Sequence, residues 1–255
     1  VMINKQSLLK IYTLTISEIK GRYRNTFAGL IWVMFSPILM FVVHSFIFKH
    51  ILKLNVERYF VFLLAGLLPW IFITNTIQQN ANVFLTKREV LLSFQINPLA
   101  VHCSKIIDNF INFIIPFFLL LGTLMTQESF HPVGLAFLPL CLLIAMIMTI
   151  ALSVLISTLQ VFFRDLEYII QFAFSILFFL TPIFYPEELI PEKYSFIVKV
   201  NPFYAIIKPF QKSLWKFDQA LLNESLINAV IFTGVISLLA YITWRRKKND
   251  LYLYI

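Results

Sequence analysis

Six long stretches of this chain are apolar enough to cross a lipid bilayer, and this pattern limits the possible fold more than any other feature. A bilayer's hydrocarbon core is about 30 Å thick, so a helix needs roughly 20 apolar residues to cross it. The stretches are 27–48, 59–78, 104–125, 133–163, 168–185 and 226–244. They are continuous rather than alternating, which argues against a transmembrane β-barrel. We therefore predict an all-α integral membrane protein with six transmembrane helices, forming a single domain over residues 1–255.

The composition supports a membrane protein. Hydrophobic residues make up 59% of the chain and charged residues only 13%, which is too apolar for an ordinary soluble domain. The first apolar stretch is longer than the core of a signal peptide, and no small-residue cleavage site follows it. We therefore expect it to remain as a transmembrane helix.

The basic residues predict the orientation, because cytoplasmic loops retain lysine and arginine. Most of the 21 lysines and arginines lie in segments on one side of the six predicted helices, with clusters in residues 20–24 and 245–248. Both termini are therefore predicted to be cytoplasmic. The net charge of +8 is divided among segments that flank the membrane. This division favours contact with anionic lipid over nucleic-acid binding.

Residues 5–24 have the pattern of an amphipathic helix that lies in the membrane interface. Its apolar face carries Leu8, Tyr12, Ile16, Ile19 and Tyr23, and its polar face carries Lys10, Thr13, Ser17, Lys20 and Arg24. Arg22 belongs to the same basic end. Two interpretations stay open: an anchor for the first transmembrane helix, or a lever that also contacts a partner.

The second transmembrane helix is predicted to continue beyond the bilayer as a polar extension. Asn75, Gln79, Asn82 and Thr86 keep helical spacing and lead into Lys87-Arg88-Glu89. The chain then turns and stops being helical before Pro98, because the residue before a proline disfavours helix. This cytoplasmic elbow is either a solvated connector or a docking site for a soluble partner, and docking is the favoured interpretation.

A short turn is predicted between the fourth and fifth transmembrane helices. Ser153, Ser157, Gln160 and Arg164 share one stripe of the fourth helix, and Asp165 follows directly. An ion pair between Arg164 and Asp165, or a tight turn at the interface, explains these two residues without catalysis.

The fifth apolar stretch carries alternating aromatic and polar side chains on one face about 100° wide. They are Tyr168, Gln171, Ser175, Phe178, Pro182 and Tyr185. Such a stripe suits a path for glycans, since rings stack on sugars and polar groups bond to hydroxyls. Polar side chains are also common at helix contacts in lipid, so this second interpretation stays open.

The segment 187–216 is too interrupted by prolines to cross the bilayer, yet much of it is apolar. It is predicted to enter the membrane and return as a re-entrant helical hairpin on the outer side, before the last transmembrane helix. Lys208, Lys212 and Lys216 repeat every fourth residue. This row faces either lipid phosphates or an anionic polymer, or it is a solvated surface.

The sequence offers no chemistry of its own. It has six glycines and no phosphate-binding loop pattern, so it cannot bind and hydrolyse ATP by that route. Cys103 and Cys141 have no metal or disulfide spacing, and the histidines are scattered. A membrane enzyme such as an acyltransferase would need a histidine or carboxylate cluster, and Asp108 is the only carboxylate well inside an apolar stretch. We therefore expect a non-catalytic chain without metal or cofactor, powered by another subunit.

Several motifs, in the same order along the chain, resemble the permeases of ABC-2 type exporters. The motifs are Ile19-Lys20-Gly21-Arg22-Tyr23-Arg24, Gly29-Leu30-Ile31-Trp32 with Pro37, Gly66-Leu67-Leu68-Pro69-Trp70, Val161-Phe162-Phe163-Arg164-Asp165-Leu166, Thr181-Pro182-Ile183-Phe184-Tyr185 and Asn201-Pro202. The branch that exports polysaccharides is the most similar.

This resemblance implies a homodimer in the bacterial inner membrane with two copies of a cytoplasmic ATP-binding-cassette subunit, which would hold the MgATP. Residues 79–89 would be the coupling helix, residues 5–24 the interfacial helix, and 187–216 paired re-entrant helices near the exit. A polysaccharide on a lipid pyrophosphate, foremost the O-antigen of lipopolysaccharide, would pass along the first and fifth helices. Trp32, Phe35, Phe178 and Tyr185 are the aromatic candidates for this path. Capsular polysaccharide, teichoic acid and, more distantly, small hydrophobic drugs are alternative cargoes.

Overall fold

The computed structural model describes residues 5–23, 31–51, 53–94, 96–125 and 131–254, and every regular element in these ranges is helical. The helices are α1 (Lys5–Tyr23), α2 (Ile31–Ser45), α3 (Tyr59–Ala81), α4 (Val83–Thr86), α5 (Arg88–Phe94), α6 (Pro98–Met125), α7 (Pro132–Phe162), α8 (Leu166–Leu180), α9 (Ser195–Lys199), α10 (Pro202–Leu214), α11 (Gln219–Lys247) and α12 (Leu251–Tyr254). A π-helical turn, Phe46–Ile51, continues α2. Two 3₁₀ turns, Glu187–Leu189 and Glu192–Tyr194, precede α9.

Four of these helices, α3, α6, α7 and α11, are long and apolar enough to cross a membrane. The shortest has 23 residues, which at 1.5 Å per residue gives about 35 Å. They correspond to the predicted stretches 59–78, 104–125, 133–163 and 226–244. The all-α fold and the membrane character are thereby confirmed.

The other two predicted stretches form shorter helices. α2 and α8 have 15 residues each, and residues 24–30, which precede α2, lie outside the described ranges. α8 ends at Leu180, so the predicted limit at Tyr185 is too long. The reason is Pro182, which forces the preceding residue out of the helical region: Thr181 is extended, with φ −94° and ψ 128°.

The core is built around α3 and α10. α3 is buried along most of its length, and α10 packs against α3, α7 and α11. α10 begins sharply because Pro202 takes its first turn and the Asn201 side chain accepts bonds from the backbone N–H groups of Phe203 (2.9 Å) and Tyr204 (3.3 Å). With 13 residues, or about 20 Å, α10 is too short to cross a bilayer.

Two glycines allow α10 to approach its neighbours closely. A Cβ atom on Gly66 of α3 would lie 2.9 Å from Nε2 of Gln211, which bonds to the Pro182 carbonyl. A Cβ atom on Gly134 of α7 would overlap the backbone carbonyl of Ser213. The second site is stricter, because a backbone atom cannot swing aside as the end of a side chain can.

Candidate coupling surface and transport groove

α1 presents three faces rather than the two predicted. Ile11 and Leu14 pack on a small apolar cluster beside the main core, and Thr15 is buried between them. Tyr12, on the predicted apolar face, is 65% exposed. The face that contacts α6 lies about a quarter turn from that apolar face. α1 therefore contacts the bundle with one face while Tyr12, on the predicted apolar face, remains exposed.

The third face of α1 carries Arg22, which is the centre of a buried polar network. Its Nη2 atom donates to Asp108 (2.5 Å), to Oδ1 of Asn109 (2.9 Å) and to Oε1 of Gln79 (3.1 Å). The Asp108 side chain is fully buried, so its charge needs this partner. Arg22 thus joins α1 to α3 and α6 at one point.

One turn earlier on the same face, Glu18 bridges two lysines from different elements. Its carboxylate lies 2.6 Å from Nζ of Lys87 and 3.0 Å from Nζ of Lys105. Burial alone would raise the pKa of Glu18, but the hydrogen bonds from the two lysines outweigh burial and lower it. Glu18 therefore stays ionised and holds the elbow against α1 and α6.

The predicted polar extension is observed as the end of α3, the one-turn helix α4 and α5. Asn82 sits at the junction: its amide donates to Glu167 of α8, and its Oδ1 accepts from Nε2 of Gln160 of α7 at 2.9 Å. The Thr86 hydroxyl donates back to the Asn82 carbonyl at 3.0 Å. The elbow is therefore fixed to α7 and α8 as well as to α1.

The tip of the elbow combines one engaged and two exposed charged side chains. Lys87 is bound to Glu18, whereas Arg88 and Glu89 are exposed. Leu91, one turn further along α5, is fully buried in the cluster that receives α1. Of the three charged residues predicted to couple to a partner, Arg88 and Glu89 are free to contact one, while Lys87 braces the elbow from inside.

Arg164 and Asp165 lie in the three-residue turn between α7 and α8, and both side chains are exposed. No ion pair links the two, so the turn is held by backbone contacts. The Arg164 carbonyl accepts from Gln160 at 2.8 Å, and the Asp165 carbonyl accepts from the N–H of Tyr168 at 3.1 Å. The pairing interpretation is therefore wrong, whereas a tight turn is present.

An open groove of about 990 Å³ lies between α2, α3 and α8, and two of the residues predicted to line a path are part of its wall. Ser175 and Phe178 line it directly, together with Asn75 and Gln78 of α3. Trp32 and Phe35 of α2 are 57% and 45% exposed, in edge-to-face contact with each other. The groove thus combines polar and aromatic side chains.

The predicted stripe on the fifth helix does not stay together. Tyr168 and Gln171 are exposed on α8, but Pro182 is buried beyond the end of the helix. Tyr185 also lies past that end, with its hydroxyl donating to the Phe179 carbonyl at 2.8 Å. Pro182 and Tyr185 are therefore not members of a continuous helical face.

An aromatic stack closes one end of the groove. The Phe184 ring lies between His44 (4.4 Å between centroids) and Phe48 (5.2 Å), with nearly parallel planes. The Phe178 ring meets both Phe184 and His44 edge-on. α2 and the segment after α8 are fastened together at this end.

The lysine row on α10 is not a uniform surface. Lys208 lies 2.9 Å from Glu187 and Lys212 lies 3.8 Å from it, and the Lys212 side chain is only 9% exposed. Burial alone would raise the pKa of Glu187, but bonds from Lys208 and Tyr204 outweigh it and lower the pKa. A solvated lysine face is therefore the wrong interpretation for Lys208 and Lys212.

Lys216 differs from these two. It is exposed beyond the end of α10, and its Nζ atom lies 4.7 Å from the centre of the Trp215 ring. Among the described residues, Lys208 and Lys212 are engaged with Glu187, so Lys216 is the one of the three predicted lysines that remains available to an external anion.

The described residues contain no group of three or more His, Cys, Asp or Glu side chains that could hold a metal. Cys103 and Cys141 are free thiols in separate places, and His102 is buried without a hydrogen-bond partner.

Sequence reasoning missed Glu18 and the pairing of Asp108 with Arg22. Spacing on α1 placed Glu18 on neither predicted face, yet it lies four residues before Arg22 and so on the same side of the helix. That spacing is the signal that could have identified a third face. Arg22 and Asp108 are 86 residues apart in the sequence, and Glu18 and Lys87 are 69 apart. Only the fold brings these pairs together.

An all-helical membrane protein with an open polar groove and a braced surface elbow has the build of a transport permease. The chain belongs to the ABC-2 type transporter family, which it matches over residues 10–215. It is similar to two proteins of Klebsiella pneumoniae named O-antigen export system permease protein RfbA. The identities are 28% and 25%, over 89% of this chain and 86% of each relative. A protein of the same name from Myxococcus xanthus is 28% identical over 79% of this chain and 78% of its own length.

Proposed function

We propose that this chain is the membrane subunit of an ATP-driven exporter that moves a lipid-linked O-antigen polysaccharide out of the bacterial cytoplasm. The observation that carries the proposal is similarity over most of the chain to permeases named for O-antigen export. The groove of about 990 Å³ supports it, because it pairs aromatic rings with amides and a hydroxyl. These groups suit a hydroxylated cargo better than an apolar one.

The topology proposed for this function has six transmembrane helices and two cytoplasmic termini. α2 and α8 would add to the four long helices, and the basic residues 245–248 after α11 favour the cytoplasm for that end. The segment that contains α9 and α10 would enter the outer half of the membrane and return. Its burial against α3, α7 and α11 provides the protein surroundings that a re-entrant segment needs.

The elbow is the proposed site of coupling to a cytoplasmic ATP-binding-cassette subunit, which would hold the MgATP. Arg88 and Glu89 would contact that subunit, since both are exposed at the tip. Because Lys87 is bound to Glu18, a push on the tip would pass to α1 and, through Lys105, to α6. This arrangement couples one surface to two helices through ion pairs.

The proposed exporter is a homodimer with two ATPase subunits, and the cargo would pass between the two copies along the groove. The outward faces of α2 and α8 supply exposed rings for this route, among them Trp32, Phe35, Tyr168 and Phe179. Their exposure fits a surface that meets cargo, lipid or a second copy rather than the core of one chain.

The test is reconstitution in vesicles of the chain with and without its ATPase subunit. We expect ATP hydrolysis only with both subunits, and export of lipid-linked polysaccharide into the vesicle interior only with ATP. ATP hydrolysis by the chain alone would refute the assignment. So would labelling of a cysteine at position 88 from the outer side of intact cells, because the elbow would then face away from ATP.

A further inference from the structure

A second pocket, of about 580 Å³, lies between α2, α3 and α6 and adjoins the groove, with which it shares Ser36, Ile71 and Asn75. We call it the arginine pocket, and its polar and aromatic lining is Arg22, Trp32, Ser36, Asn75, Asn109 and Asn112. Apolar side chains of α3 and α6, such as Phe72 and Phe113, complete its walls. Polar groups are thus concentrated in a pocket between otherwise apolar helices.

The pocket contains a buried donor without an acceptor. Asn109 is 5% exposed, and its Oδ1 atom accepts from Arg22 at 2.9 Å. Its Nδ2 atom has no hydrogen-bond partner among the described residues. A buried N–H group left unpaired is unfavourable, so an acceptor placed in the pocket would be bound with a gain in free energy.

The charges around the pocket favour an anion as that acceptor. Every hydrogen bond between Arg22 and another described residue comes from Nη2, and the side chain is 29% exposed. Arg22, Lys87 and Lys105 face only two carboxylates, Glu18 and Asp108, so the network carries one excess positive charge. Guanidinium and amide N–H groups together match phosphate oxygens.

The position and shape of the pocket identify the kind of anion. α1, which supplies Arg22, has the pattern of a helix at the membrane interface, where lipid phosphates lie. Trp32 is 57% exposed beside the pocket and offers a flat ring to a hydroxylated or sugar group. A phosphate with such a group attached would satisfy both the donors and the ring.

We propose that the arginine pocket binds the phosphate of a lipid headgroup, with Arg22 and Asn109 donating to its oxygens and Trp32 covering the attached group. This inference rests on the proposed function for one source of the phosphate, the lipid pyrophosphate of the cargo. The other source is an anionic glycerophospholipid of the surrounding bilayer. The chemistry at the phosphate is the same for both.

The experiment measures binding to the complex of chain and ATPase subunit in phosphatidylcholine nanodiscs. The two probes are a short polyprenyl pyrophosphate that carries one sugar, and phosphatidylglycerol. Asn109→Asp keeps an oxygen for Arg22 but replaces the free donor with a carboxylate oxygen, so we expect binding about tenfold weaker. Ser36→Glu, at an exposed position of the lining that the pocket shares with the groove, adds a negative charge without replacing any member of the Arg22 network. Asn228→Asp repeats the asparagine-to-aspartate change of Asn109→Asp on the exposed face of α11, and is the control.

Tighter binding of the polyprenyl probe, lost in Asn109→Asp and Ser36→Glu, would identify the cargo lipid as the source. Equal binding of both probes, with the same losses, would identify the bulk phospholipid. Unchanged binding of both probes in both variants would overturn the proposal. Export measured with the same variants separates the two ideas. If the variants lose probe binding but keep full export, the exporter function stands and the pocket does not serve the cargo. If wild type binds the probes but shows no export, the pocket stands and the exporter function is excluded.

Discussion

Glu18 and Glu187 each pair with two lysines, and Glu187 also accepts from the Tyr204 hydroxyl, but the lysines are arranged differently. Glu18 binds Lys87 of the elbow and Lys105 of α6, so three separate elements meet at one carboxylate. Glu187 binds Lys208 and Lys212, which lie one turn apart on α10. The first carboxylate links three separate elements, whereas the second fastens a turn to a single helix.

This difference separates a proposed coupling contact from a structural one. In both places hydrogen bonds and nearby lysines offset burial, and the pKa of the glutamate is lowered. The two sites differ in where their lysines lie: those of Glu18 come from two elements, and those of Glu187 from one helix. A lowered pKa does not report this difference. Glu18 should therefore affect transport more than stability, and Glu187 the reverse.

The largest effect is expected at the base of the elbow network. Arg22→Met leaves the fully buried Asp108 carboxylate without its close partner, so we expect a loss of roughly 3 kcal/mol in the free energy of unfolding. Thermal unfolding in detergent measures it. The double variant with Asp108→Asn should regain most of the loss. A stable single variant would show that the network is not a fixed unit.

Charge reversal distinguishes the braced lysine from the exposed arginine. Lys87→Glu replaces an attraction to Glu18 by a repulsion, so we expect coupled ATP hydrolysis by the complex to fall about tenfold. Glu18→Lys in the same chain should restore much of it. Arg88→Glu should also lower the rate, but Glu18→Lys should not rescue it. Rescue of both variants would contradict the separate roles.

The contact between α7 and α10 at Gly134 tests whether α10 is held rigidly. Gly134→Ala should destabilise the protein by about 1–3 kcal/mol, because the new methyl group overlaps the Ser213 carbonyl. Gly234→Ala in α11 is the control, since nothing lies within 4 Å of a Cβ there. Thermal unfolding of both variants makes the comparison. Equal midpoints would mean that α10 can shift and is not held rigidly.

Neutral replacement of each glutamate is the direct test. Glu18→Gln should lower coupled ATP hydrolysis by about fivefold with little change in unfolding temperature, because the bridge is partly exposed. Glu187→Gln should leave the rate nearly unchanged and lower the unfolding temperature slightly. The reverse pattern would assign coupling to the α10 end.

Acid should weaken both bridges in the same direction. Each glutamate has a pKa below the ordinary 4.5 in the folded protein, so its contribution is complete above about pH 4.5. It is lost as the pH falls through the lowered value. Unfolding temperatures from pH 7 to pH 3 should show wild type and Glu187→Gln, which differ at neutral pH, converging in acid. Parallel curves would mean that Glu187 is not stabilised as an anion.

The sequence predicts the elements of this fold well, because long apolar stretches have few other structures open to them. α3, α6, α7 and α11 each follow such a stretch, and the elbow follows from polar residues at helical spacing. The end of α8 was open to the same reasoning, since Pro182 stands in the sequence.

The contacts of the candidate site were less predictable. A lysine row on α10 has the pattern of a surface, and only the position of Glu187 shows that two of its members are engaged. Similarly, Asp108 is visible as a carboxylate in an apolar stretch, but its partner lies on a helix far along the chain. Ion pairs between distant segments depend on which helices become neighbours, and helical periodicity carries no information about that.

The aromatic stack around Phe184 sets how the groove can widen. His44 and Phe48 clasp this ring at one end, whereas Trp32 and Tyr168 at the other end are largely exposed. α2 and the segment that follows α8 are therefore held together at the Phe184 end of the groove. Separating α2 from α8 would require unstacking three rings at the Phe184 end but not at the end near Trp32 and Tyr168. Under the proposed function, a bulky cargo would therefore enter the groove from the side on which the elbow lies.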